Sequence, residues 1–105
     1  MSVLDDLDKL DVFFSDESKW MKGVGWAKEC RCLVLGAREV TRDHERREVA
    51  LVRALYITTG LQDRHADGPA LGRWNDADER TFADIKKLIA DTRIRLQSSA
   101  GGTSK

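Results

Sequence analysis

Proline occurs once and cysteine twice in 105 residues, the formal charges cancel, and no apolar run is long. Each scarcity excludes something. With 18 basic against 18 acidic residues, the chain lacks the basic surplus that non-specific nucleic-acid binding needs to displace counterions, although a local basic patch remains open. The longest unbroken apolar and glycine run, Cys32 to Ala37, is far too short to span a bilayer, and Met1–Asp6 has neither the cationic start nor the apolar stretch of a secretory signal. The expectation is a soluble, cytoplasmic chain with no membrane partner. Cys30 and Cys32, one residue apart, do not make a disulfide framework and read as reduced thiols.

What remains is an ordinary supply of core-forming residues, 41% hydrophobic, in a chain that is 34% charged. That combination in a short, proline-poor sequence favours one compact helical domain with well-solvated faces over a sandwich, a barrel or a disordered chain. Four main helices are expected. Residues 2–14 carry Val3, Leu7, Leu10 and Phe14 on one stripe, with Ser2 as cap and Asp5, Asp6 and Asp8 in the early turns, where the helix dipole favours them. Ser15–Ser18 reads as a break or a second helix start, and Gly23 and Gly25 as a turn.

A second helix is expected over 26–40. Residues 32–35 would also suit a short buried strand, but no second strand offers it backbone partners, so helix is preferred. Gly36 would permit a close helix crossing. A third helix, 43–58, takes its cap from Thr41–His44, and its body from Val49 to Ile57 is apolar nearly all round, which makes it the central element. Gly60 ends it. Residues 61–73 hold the only proline and two glycines without a clear period and read as a long loop.

The last helix is expected over 76–97, opened by Trp74-Asn75-Asp76 with Asn75 or Asp76 as cap and Glu79 closing a capping box. Phe82, Ile85, Ile89, Thr92 and Leu96 form its stripe, with Leu88 alongside. The domain then covers 1–97, and 98–105 forms a flexible tail. Residues 1–17 carry six acids against Lys9, whereas 86–105 carry Lys86, Lys87, Arg93, Arg95 and Lys105 against Asp91, so the first and last helices are expected side by side.

Chemical motifs are sparse. Two Cys and two His show no metal-ligand spacing, His44-Glu45 lacks the second histidine of a zinc protease, and Gly23-Val24-Gly25 lacks the third glycine of a phosphate loop. No metal, cofactor or catalytic residue is expected. A cysteine nucleophile at Cys30 or Cys32 would need His44 or His65 beside it, and the plain alternative is that both thiols pack as small apolar groups.

The three tryptophans are more telling. Trp20 and Trp26 flank the glycine turn and Trp74 precedes a cap, positions that suit packing at helix ends or, where arginine joins them, a partner or ligand surface. Trp20, Lys22, Arg73, Trp74, Asn75 and Asp76 are therefore the candidate binding residues. His44 and His65 read as solvated helix-start and loop residues.

Trp20…Gly23, Cys32-Leu33-Val34-Leu35-Gly36-Ala37 and Trp74-Asn75-Asp76 with Arg80-Thr81 resemble a small family of uncharacterised helical domains of bacteria and their phages. The likeness spans roughly residues 15–95, and Trp-Asn-Asp with Arg-Thr is its most specific part. It implies an all-helical domain and brings no assigned activity, catalytic residue or cofactor.

Three functional expectations follow. The first is a non-catalytic interaction module, homo-oligomeric or docking on a protein partner through the last helix and the Trp74 corner. The second is a binder of a small nucleotide-like anion, using Lys22, Arg73 and the tryptophans. The third is a small enzyme with a cysteine nucleophile.

Overall fold

A computed structural model of the chain describes residues 2–22, 32–42, 44–60 and 68–102. Among them every regular element is helical: α1 (Val3–Phe13), a short 3-10 turn (Glu17–Lys19), α2 (Leu33–Thr41), α3 (Glu45–Thr58), α4 (Gly68–Asp76) and α5 (Phe82–Gly102). The all-helical expectation holds, with one helix more than expected.

α1 starts where local chemistry says it should. The Ser2 hydroxyl accepts from the Asp5 amide at 3.2 Å and the Asp5 carboxylate accepts from the Ser2 amide at 3.3 Å, a reciprocal cap that satisfies two otherwise orphaned donors. Leu7, Leu10 and Phe14 are fully buried along its stripe. α2 begins at Leu33, with Cys32 as its cap, so residues 32–35 are a helix start and not a strand. The earlier part of the expected 26–40 helix, with Trp26 and Cys30, and the expected turn at Gly23 and Gly25 lie outside the described residues. α3 begins after His44, whose Nδ1 accepts from the Arg47 amide at 3.4 Å.

The stretch expected as a long loop contains α4, a correction with a clear cause. Pro69 sits in the first turn of α4, where its missing N–H costs nothing, and Gly72 has no closer neighbour for an added Cβ than Val34 Cγ2 at 4.0 Å. Both read as helix breakers by composition and neither breaks this helix. Trp74, Asn75 and Asp76 close α4 instead of opening the last helix. α5 starts at Phe82, six residues later, on a different box: the Thr81 amide donates to Asp84 Oδ2 at 2.9 Å and the Asp84 amide to Thr81 Oγ1 at 3.3 Å, so Glu79 does not complete the cap. α5 also continues past the expected end at Gln97 to Gly102; residues 103–105 lie outside the described residues.

α3 touches all four other helices and contributes Leu51, Val52, Ala54, Leu55 and Tyr56 to the core, as its nearly all-apolar body predicts. α1 and α2 cross at Gly36, where a Cβ would stand 2.6 Å from two ring carbons of Phe14. The ring of Phe14 therefore occupies the space a side chain would take. α1 and α5 run antiparallel and are joined by Lys86 to Asp11 and by Arg93 to Asp8. The charge asymmetry of the two chain ends is thus realised as cross-helix pairs. Asp6 departs from the expected pattern. Off the apolar stripe by sequence, it is 1% exposed and receives both Nε (3.1 Å) and Nη2 (2.5 Å) of Arg47 from α3. A buried carboxylate is tolerable only with such a partner.

Candidate functional site

Two constellations meet at the end of the bundle where α4 turns into α5. The first is centred on Asn75, which is completely buried. Its Oδ1 accepts from the Trp20 indole Nε1 at 2.7 Å and from the Leu33 amide at 3.1 Å. Its Nδ2 donates to the Met21 carbonyl at 3.2 Å and to Asp76 Oδ1 at 2.9 Å. An amide side chain has two acceptor sites and two donors, and all four are used. Asn75 therefore ties α4 to the chain on both sides of residues 23–31. Trp20, half-buried, also lies against the core with its ring 6.4 Å from that of Phe82. Lys22 Nζ donates to the Asp78 carbonyl at 3.0 Å, adding a second strap to the same connection. Four of the six candidate residues, Trp20, Lys22, Asn75 and Asp76, are engaged in this clasp.

The other two, Arg73 and Trp74, line a cavity of about 300 Å³ together with Tyr56, Thr59, Ala70, Ala77 and Arg80. The elements that build it are the C-terminal turn of α3, the outer face of α4 and the α4–α5 connection. Arg80 is its organising cation. The guanidinium carbon lies 3.9 Å from the centre of the Trp74 ring, Nε donates to the Trp74 carbonyl at 2.7 Å, and Nη1 stands 3.9 Å from Asp84 Oδ2. A guanidinium stacked on an indole and tethered through Nε has lost most of its rotamer freedom while Nη1 and Nη2 keep donor capacity.

Tyr56 is the residue that sequence reading assigned wholly to the core. It is 3% exposed and lines the cavity, and among the described residues no buried side-chain oxygen or nitrogen is left unpaired. Nothing in the local pattern separates Tyr56 from Leu55, and only the arrival of α4 beside α3 creates the space it faces. Arg80 carried a faint signal, as a cation just beyond a tryptophan helix end.

Two helix C-termini face this cavity, and their carbonyl ends would repel an anion if left bare. They are not bare. The Tyr56 carbonyl accepts from the Thr59 amide at 3.0 Å and from Thr59 Oγ1 at 2.6 Å, and the Trp74 carbonyl from Arg80. The cavity is thus lined by two arginines together with apolar Ala70 and Ala77.

Other chemistry finds less support. Cys32 is buried and its Sγ accepts from the Leu35 amide at 3.4 Å, which withdraws it from solvent and substrate alike. Cys30 and His65 lie outside the described residues. Among the described residues no cluster of three or more His, Cys, Asp or Glu is arranged to hold a metal ion, and no helix is long and apolar enough to cross a membrane.

Neither the curated proteins nor the solved structures contain a match to this chain. Residues 2–95 match a family described as "Family of unknown function (DUF6197)", a span that takes in the cap of α1, the Asn75 clasp and the whole of the Trp74–Arg80 cavity. The chain belongs to that family.

Proposed function

We propose that the protein is a non-catalytic binder of a small anionic ligand, held in the cavity between α3, α4 and the α4–α5 connection. The observation that carries this reading is Arg80, whose guanidinium is stacked on Trp74, tethered at Nε and only 16% exposed. An oriented guanidinium beside a second arginine suits a carboxylate or phosphate group, which it can meet through two parallel hydrogen bonds. The space is at the small end of ligand sites, which run from about 300 to 1,000 Å³. It suits a single small anion with one ring and has no room for a dinucleotide. Trp74 acts here through Arg80, since the guanidinium already covers the ring face, so the ring does not stack directly on a ligand base.

Thermal shift with millimolar benzoate, phenyl phosphate and inorganic phosphate tests the reading. A ligand present at a hundred times its Kd adds about 2.7 kcal/mol to stability and raises Tm visibly. The expected result is stabilisation by at least one of the three that is lost in Arg80→Ala. No shift with any of them, or an equal shift in the variant, overturns it.

A second reading, self-association or docking on a protein partner, keeps one observation in its favour. Val49 and Ile57 on α3 are 47% and 50% exposed and share an outward face with Arg53. The stripe of α5 does not support it, because Ile85, Leu88, Ile89 and Thr92 are all buried within the monomer. Light scattering after size exclusion separates the two: a stable dimer that Val49→Glu dissolves supports this second reading, and a monomer at high concentration removes self-association.

A further inference from the structure

We infer that α3 is the contact surface for a second copy of this chain, packing antiparallel on itself about Val49 so that Glu45 of each copy meets the partner's Arg53. This rests on the self-association reading above and deepens it. Most of the circumference of α3 lies inside the molecule: it touches the other four helices and buries Leu51, Val52, Ala54, Leu55 and Tyr56. On its outer side stands one row, Glu45, Val49, Arg53 and Ile57, each four residues from the next and all exposed. Residues at that spacing form the ridge by which helices most often pack on one another. A surface groove runs beside the row, lined also by Arg46 and Ala50, and the small Ala50 lets a second ridge come close.

The order of charges along the row points to what covers it. Glu45 lies four residues before Val49 and Arg53 four residues after it, so the two opposite charges are about 12 Å apart at equal distances from an exposed apolar centre. A two-fold axis through Val49 sets each acid on the partner's base, since such a contact places residue i against j and j against i. Val49 then packs on the partner's Val49 between two ion pairs. A parallel pair would bring like charges together at both ends, and a partner of one charge sign would match one end of the row and oppose the other. Neighbouring charges on α3 are committed within the chain, Arg47 to Asp6 and Glu48 to Arg38, whereas no salt bridge among the described residues uses Glu45 or Arg53. One helix face covers less than the roughly 800 Å² that each partner gives to a standard interface, so the dimer is weak and forms at high protein concentration.

Sedimentation equilibrium of the full chain from about 20 µM to about 1 mM, with two charge reversals, tests the register. Wild type is expected to dimerise reversibly within that range. Glu45→Arg sets arginine against arginine at both ends and Arg53→Glu sets glutamate against glutamate, so each variant alone is expected to dimerise at least tenfold more weakly. Mixed in equal amounts, the two are expected to pair with each other at least as tightly as wild type pairs with itself, because both cross-contacts are then oppositely charged. Both positions are exposed, so each variant should keep the helix content of wild type by circular dichroism. Wild type that stays monomeric at the highest concentration overturns the inference and self-association together. A dimer that neither reversal weakens, or a mixture that does not restore association, overturns the α3 register while self-association stands.

Discussion

The indole nitrogen of Trp20 and the side-chain oxygen of Asn75, 55 residues apart in sequence, are joined by a 2.7 Å hydrogen bond, and the same oxygen holds the Leu33 amide. One buried amide thereby fastens the chain before residue 23 and after residue 31 to the end of α4. The cavity built by Tyr56, Trp74 and Arg80 lies on that anchored end of α4, so the clasp sets where Trp74 stands and, through it, where Arg80 is held.

Asn75→Asp removes the two N–H donors and sets a carboxylate against the Met21 carbonyl and the Asp76 carboxylate. The loss is expected to be about 3 kcal/mol, from unpaired buried groups and like-charge contact. Urea unfolding followed by circular dichroism measures it, and a loss below 1 kcal/mol would mean that the clasp is peripheral.

Gly36→Ala places a methyl group where the Phe14 ring already stands, at 2.6 Å from two of its carbons. Phe14 is fully buried and cannot move without opening the α1–α2 crossing. Overpacking of this kind costs about 1–3 kcal/mol even though alanine is the better helix former. A more stable Gly36→Ala protein would show that the crossing is looser than the geometry requires.

Arg42 ends α2 with φ 55°, a left-handed conformation that L side chains adopt at a cost, and it is exposed. Arg42→Gly relieves that strain and is expected to stabilise the fold by about 0.5–1 kcal/mol, a rise in Tm of a few degrees by calorimetry. A fall in Tm would mean that the arginine contributes an interaction worth more than the backbone strain.

Asp6 and Arg47 are unequal partners. The carboxylate is almost wholly buried, whereas the arginine side chain is 25% exposed. Arg47→Ala strands a charge with no route to water, and Asp6→Ala frees a guanidinium that can turn outward, so the first is expected to lower Tm more than the second. The hydrogen bonds that Arg47 donates to Asp6, and the charge of that carboxylate, raise the Arg47 pKa above its ordinary value, outweighing desolvation. A raised cationic pKa contributes stability that is complete below the unfolded value and is lost only as pH rises through the folded one. For an arginine that lies beyond the normal alkaline range, so the Tm difference between wild type and Arg47→Ala should stay level from pH 7 to 10. A difference that shrinks steadily across that interval would contradict the assignment.

Helices α1 and α3 were legible almost to the residue, because their stripes, caps and acidic first turns are local properties that the peptide carries wherever it goes. The pairing of α1 with α5 was legible from the charge of the two ends, since opposite fields act over distances larger than a contact. Gly36 announced the close crossing, and only the fold could say that Phe14 would fill it.

Beyond this, tertiary structure decided. Pro69 and Gly72 look like punctuation in a linear reading, and only the buried faces of Ala70 and Leu71 against the core make a helix of that stretch. Asn75 and Asp76 have the composition of an N-cap, but the bonds of Asn75 are mostly to residues 42 to 55 positions away, a distance no local rule spans. The amino-acid sequence by itself determined that the chain is helical, where α3 would sit, and that tryptophan and arginine would share one corner. Which of those side chains hold the fold and which face open space depended on α3 and α4 coming together, because burial and exposure are properties of the packed molecule and not of any one segment.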